Sequence, residues 1–332
     1  MFARFALLAS LTLAGSLLAG CGALPGATTG LKAESVAGKG FTKVGFGAEG
    51  GTQPALIRRA NGEWLMVYVG TNVGERHLYA TTSTDGKTFS APELIESADY
   101  SDQAPVLAED AQGVAHLFFA SNRNGEHFEL RHARYEGAQW TASTQIDGYT
   151  GVQDLAVAYS AGRFLLACEI QGDGLVVTTS ADAKTFTERE TIANAGFDPA
   201  AAFLPDGTAL VAYTRSNEVL TRASKPGADW AAEAVAVKGT SRLRGPAMIW
   251  AGDHGKLVYA ERQGATGTNY ALREKRFDLK HQFTEGKPLA AFGGDANSPA
   301  LAYDNHASIG LAWGMKLSSS QQGVAFTLDG WK

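Results

Sequence analysis

The sequence predicts an all-β fold: a six-bladed β-propeller of four-stranded antiparallel blades, closed by an N-terminal strand in the last blade. Three observations carry this expectation. A short Pro-Ala segment recurs at intervals of roughly 45 to 53 residues, the span of propeller blades. Each recurrence opens a unit with room for four short strands. Alternating apolar segments replace any sustained helical period along the chain.

In chain order, Arg4 precedes an apolar run from Phe5 to Leu18, which is too short for a permanent span and reads as an export signal over residues 1–20. The run ends in Leu18-Ala19-Gly20-Cys21. That ending resembles the lipobox of bacterial lipoproteins, in which the cysteine becomes the lipidated first residue, carrying acyl groups such as palmitate. Gly22 rather than Asp follows Cys21, so the resemblance implies a membrane anchor through Cys21, at the outer membrane rather than the inner. Residues 21–40 are rich in Gly, Ala and Thr and are expected to form a flexible tether. Residues 41–332 are then expected to be one propeller domain, present as a monomer.

Charged residues make up 19% of the chain and the net charge is -5, which removes the electrostatic basis for nucleic-acid binding. With Cys21 lipidated, Cys168 has no partner, and its apolar surroundings predict a small buried hydrophobe. The histidines His77, His116, His127, His132, His254, His281 and His306 show no metal-ligand spacing, and His127 and His132 are expected on a surface hairpin. No metal or cofactor is expected, since phosphate-loop, dinucleotide and nucleophile-elbow motifs are also missing.

The recurring segments are Gln53-Pro54-Ala55, Ala104-Pro105-Val106, Gln153-Asp154-Leu155, Asp198-Pro199-Ala200, Gly245-Pro246-Ala247 and Ser298-Pro299-Ala300. Small residues suit the crowded innermost strand of a blade, and proline suits a strand start that needs no ladder donor. Ser83-Thr84-Asp85-Gly86-Lys87-Thr88-Phe89 and Ser180-Ala181-Asp182-Ala183-Lys184-Thr185-Phe186 are turns in which Ser and Asp satisfy backbone groups above a buried aromatic. These two segments resemble the Asp-box (BNR) repeat of sialidases and related propellers, with Trp140 and Trp230 in the aromatic place of decayed copies. Phe41–Phe46 supplies the strand that the last unit lacks.

Strand alternation gathers the loops entering each first strand and leaving each second strand at one mouth. The entering positions are Gln53, Asp102, Gln103, Gln153, Asp154, Asp198, Arg244, Asn297 and Ser298; the leaving ones are Asn72, Arg123, Glu169, Arg215, Glu261, Arg262 and Lys316. Tyr100 and Tyr149 lie in neighbouring loops as expected aromatic platforms. Convergent polar groups beside aromatics are what a glycan or a protein partner would use.

The resemblance implies a sialidase's arginine clamp, yet Gln53 stands where that family opens its first blade with an arginine. The expectation is therefore a non-catalytic envelope protein recognising a glycan or protein partner at the mouth. Two alternatives stay open. One is a glycoside hydrolase with catalytic candidates Asp154, Glu169, Asp198 and Glu261, since such chemistry needs two facing carboxyls. The other is an envelope scaffold.

Overall fold

The computed structural model describes residues 33–36, 39–47, 50–72, 75–96, 99–264, 269–289, 295–303, 308–318 and 321–328. The expected signal segment and Cys21 lie outside the described residues.

Six antiparallel sheets follow one another along the chain. The first blade comprises Thr52–Arg58, Trp64–Asn72, Glu75–Ser83 and Glu93–Leu94. The second comprises Asp102–Glu109, Ala115–Ser121 and Glu129–Glu136, with Gln139–Trp140 and Thr144–Thr150 both paired to its third strand. Val152–Ser160, Arg163–Ile170, Gly174–Ser180 and Glu190–Ala193 form the third. The fourth is Phe197–Phe203, Ala209–Arg215, Glu218–Ser224 and Ala234–Lys238. The fifth is Leu243–Ala251, His254–Arg262, Tyr270–Phe277 and Lys287–Pro288. Each innermost strand packs against that of the next blade, and the sixth returns to the first, so the blades close a ring.

The sixth blade contains Asp295–Tyr303, Ile309–Ser318 and Gln321–Leu328, and its fourth strand is Lys39–Gly47 from the other end of the chain. The register pairs Thr42 with Phe326 and Val44 with Val324. Phe41 and Val44 are buried, and the Phe41 ring lies 6.0 Å from that of Trp313. Closure by the N-terminal strand is thus as the sequence predicts. Ala33–Val36 pairs in turn with the outer edge of this strand, so regular structure begins inside the stretch expected to be tether. The physical reason is that the closing strand leaves an open row of backbone donors and acceptors, which an adjoining segment satisfies.

The core lies between blades, where one sheet's side chains fill the next sheet's face. Trp64 and Phe89 of the first blade meet Phe326 of the sixth edge to face, at 5.6 Å and 5.0 Å. Cys168 is buried and unpaired in the third blade, where burial pushes its thiol up.

The box turns are built as their chemistry requires. Asp85 Oδ1 accepts from the N–H groups of Lys87 (2.7 Å) and Thr88 (2.8 Å), while the Gly86 N–H donates to Ser83 Oγ (2.9 Å). The Lys184 and Thr185 N–H groups donate in the same way to Asp182 Oδ1, at 2.9 Å and 2.7 Å. These bonds favour the ionised form and hold Asp182 down at about 2. The first copy has Gly86 at φ 64°, and the second has Ala183 at φ 58°.

One histidine expectation is overturned. His127 is exposed, but His132 is buried, because strand alternation turns it between the second and third blades. Its Nε2 lies 2.9 Å from His116 Nδ1, and His116 Nε2 lies 3.1 Å from Asp110 Oδ2. Both imidazoles are packed against phenyl rings, His132 on Phe118 and His116 on Phe164. Among the described residues, no group of three His, Cys, Asp or Glu side chains is placed to hold a metal ion.

Candidate functional site

The recurring X-Pro pair shapes the axis of the ring. Proline brings no N–H to the ladder, and each innermost strand carries a register shift at this point. The residue before proline takes positive φ in five blades: Gln53 (47°), Ala104 (51°), Asp198 (50°), Gly245 (47°) and Ser298 (44°). Non-glycine residues in that region store strain of about 1–3 kcal/mol each. In the third blade Asp154 replaces the proline, and the bulge persists between Val152 and Asp154.

Side chains at the mouth bind neighbouring backbone groups across the blades. The Ala104 N–H donates to Gln53 Oε1 (3.3 Å), the Asp198 N–H to Glu169 Oε2 (3.2 Å), and the Gly245 N–H to Asp198 Oδ2 (3.2 Å). Gln103 Nε2 donates to the Gln153 carbonyl at 3.3 Å. These bonds satisfy donors that the bulges remove from the ladder.

The ring encloses a central cavity of about 160 Å³. Its polar side chains are Gln53, Asp154, Asp198 and Ser298, over a wall of proline, alanine and aliphatic side chains from all six blades. No lysine, arginine or histidine lines it among the described residues. Asp154 Oδ1 accepts from the Leu155 N–H (2.8 Å). Asp198 takes its hydrogen bonds, from Thr214 Oγ1 and the Gly245 N–H, on Oδ2 alone. Asp154 Oδ2 and Asp198 Oδ1 make no protein hydrogen bond among the described residues.

Glu169 stands opposite Asp154 in the strand register and bridges to Asp198. Burial pushes the Glu169 carboxyl up to about 7; the Asp198 N–H opposes this and the Asp198 charge adds to it. Burial and the neighbouring charges of Asp198 and Glu169 likewise hold Asp154 well above the usual carboxylate range. Three carboxyls thus meet where two blades adjoin, and Asp154 and Glu169 hold protons that solvated carboxyls would release.

The remaining expected residues sit elsewhere. Asp102 is 1% exposed, one of its oxygens has no hydrogen-bond partner, and burial pushes it up to about 6. Gln103 is buried and Gln153 is exposed beside it. Arg123 is bound to Glu96 and Tyr100, with its guanidinium 4.1 Å over the Tyr100 ring. Arg215 forks onto Glu233 at 2.9 Å and 2.8 Å. Arg244 lies 5.2 Å over the Tyr270 ring. Glu261 is paired with Arg273, and the partly buried Arg262 has no hydrogen-bond partner on Nε. None of these eight lines the cavity.

Tyr149, expected as a platform, is instead buried, and its ring packs against Phe186. Among the described residues the large aromatic left to solvent is Phe197, 48% exposed and directly before Asp198 in the chain. Its position next to a Pro-Ala segment was a signal available in the sequence.

No protein-family model and no curated protein matches the chain. Solved structures do. A protein of unknown function from Dyadobacter fermentans superposes with TM-score 0.69 at 15% identity, covering 86% of this chain and 94% of that one. The NanB sialidase of Streptococcus pneumoniae, as its K499G mutant, gives 0.67 at 11% identity over 86% of this chain and 69% of the other. The Penicillium chrysogenum α-L-arabinanase complexed with arabinobiose gives 0.65 at 15% identity, over 91% and 98%. At these identities the likeness speaks for the fold.

Proposed function

On a six-bladed, sialidase-like β-propeller with an acidic cavity on its axis, we propose that the chain recognises a glycan at that cavity. The observation that carries this reading is the pair of carboxyls, Asp154 and Asp198, that line the cavity, each with one oxygen free of protein hydrogen bonds among the described residues. Carboxyls accept hydrogen bonds from sugar hydroxyls, and the aliphatic wall suits the apolar side of a sugar ring. The arabinanase neighbour, complexed with arabinobiose, supports carbohydrate as the ligand class.

The same geometry argues against an anionic sugar. A carboxylate ligand needs guanidinium forks, but Arg123 and Arg215 are committed to Glu96 and Glu233, and no arginine lines the cavity among the described residues. The carboxylate of sialic acid would instead meet acidic side chains with no cation beside them among the described residues.

A glycan array probed with purified protein tests the reading. Retention of uncharged or cationic oligosaccharides is expected, weakened but not abolished in Asp154→Asn. Retention confined to sialylated glycans would refute it. On its lipobox-like Leu18–Cys21 sequence, the propeller is further proposed to be held at the envelope by lipid on Cys21. Cys21→Ser should then release it from membranes and abolish palmitate labelling.

One observation favours hydrolysis as a second reading: Glu169, raised to about 7, adjoins Asp154 and Asp198. A carboxyl that keeps its proton near neutrality beside an ionised one is the pairing that glycoside hydrolysis uses. Turnover of chromogenic arabinosides or hexosides that vanishes in Glu169→Gln would establish it, whereas binding without turnover leaves recognition as the function.

A further inference from the structure

The side chains lining the cavity offer more acceptors than donors, and no cation lines it among the described residues. Asp154 and Asp198 line it, each with one oxygen free of protein hydrogen bonds among the described residues, and Glu169 adds a third carboxyl next to Asp198. The donors lining it are the Gln53 amide and the Ser298 hydroxyl, and the Gln53 oxygen is already taken by the Ala104 N–H. The guanidiniums of Arg123, Arg215 and Arg273 are paired with Glu96, Glu233 and Glu261. A ligand that suits this site brings several N–H donors and a positive charge.

We infer, resting on the glycan-binding reading, that the cavity selects sugars bearing a free protonated amine, such as oligosaccharides of 2-amino-2-deoxyhexose, over their N-acetylated or amine-free counterparts. The ammonium group supplies three donors at once, and charge-assisted hydrogen bonds to carboxylates are roughly twice as strong as neutral ones. N-acetylation removes the charge and introduces a carbonyl, another acceptor, into a site already rich in acceptors. The positive charge also favours the ionised form of the raised Asp154 and Glu169 carboxyls, which then release their protons to solvent, whereas a plain hydroxyl sugar supplies donors without that charge.

The test is calorimetric titration of purified protein with glucosamine tetrasaccharide, N-acetylglucosamine tetrasaccharide and arabinotetraose. The amine form is expected to bind about tenfold more tightly, an advantage of one charge-assisted contact. That margin should shrink with added salt, as screening of an open cavity requires. Asp154→Asn should remove the preference, because its carboxyl bonds only its own neighbouring N–H and its loss breaks no inter-blade contact. The salt series on the unaltered protein decides the same point without a variant. Equal affinity for the acetylated or arabinose ligand, or a margin indifferent to salt, overturns amine selection while the glycan-binding reading stands. No binding of any of the three overturns both.

Discussion

Replacing Glu169 with glutamine should stabilise the protein, and by an amount that depends on pH. The carboxyl of Glu169 titrates at about 7 when folded, against an ordinary value of 4.5. A folded value above the unfolded one means that the native state binds the extra proton. Its stabilising contribution is complete below pH 4.5 and is lost as pH rises through 7. At about 1.4 kcal/mol per pH unit, ionised Glu169 therefore costs the fold roughly 3 kcal/mol above neutrality. Glutamine keeps a side-chain oxygen for the Asp198 N–H, so the inter-blade bond survives. Urea denaturation near pH 8 should show Glu169→Gln more stable by about 3 kcal/mol, on the order of 5–10 °C in Tm. Near pH 4 the gain should vanish. A gain of equal size at both pH values, or a loss at both, would refute the claim that the site's carboxyls ionise at the expense of stability.

Other expectations follow from the same structure. Burial and the charge of His116 hold His132 down at about 3, so its contribution is whole above the ordinary histidine value and is lost as pH falls below it; in NMR titrations His132 should stay neutral at pH 5, and an imidazole titrating near 6.5 would contradict the buried pair. Gly86→Ala should cost about 2–4 kcal/mol, since a Cβ there would lie 2.3 Å from Leu328 Cδ1 on a backbone at φ 64°; a thermal melt unchanged from wild type counts against it. Ala104→Gly should stabilise by about 1 kcal/mol by relieving a positive φ of 51°, read from chemical denaturation. Val44→Asp should cost at least about 3 kcal/mol by placing a charge in the closing seam, with limited proteolysis then cutting near Lys39–Gly47.

The propeller was legible because each blade repeats one local chemistry. Pro-Ala pairs, boxes and alternation report a period without any long-range information, and even the closing strand could be inferred from a last unit one strand short. The site was only partly legible. Asp154, Asp198 and Gln53 line the cavity because they occupy the repeated X-Pro position. The arginines were drawn from the same loops, but where they point depends on partners that no periodicity announces: Glu96 for Arg123, Glu233 for Arg215. Nor does a repeat pattern reveal φ, so the positive values at Gln53, Ala104 and Ser298 belong to the three-dimensional ring alone. His132 was misplaced because strand parity across a bulged sheet decides which face a residue takes.

Because Lys39–Gly47 zips onto Gln321–Leu328, a strand synthesised before the first blade finds its neighbour only when the ribosome has delivered the final blade. Until then Phe41 and Val44 remain uncovered, and blades already formed wait in an open arc whose two faces are adhesive. Assembly of the ring is thus a race between its own completion and adhesion to other unfinished chains, a race that slower emergence of the last blade would lose.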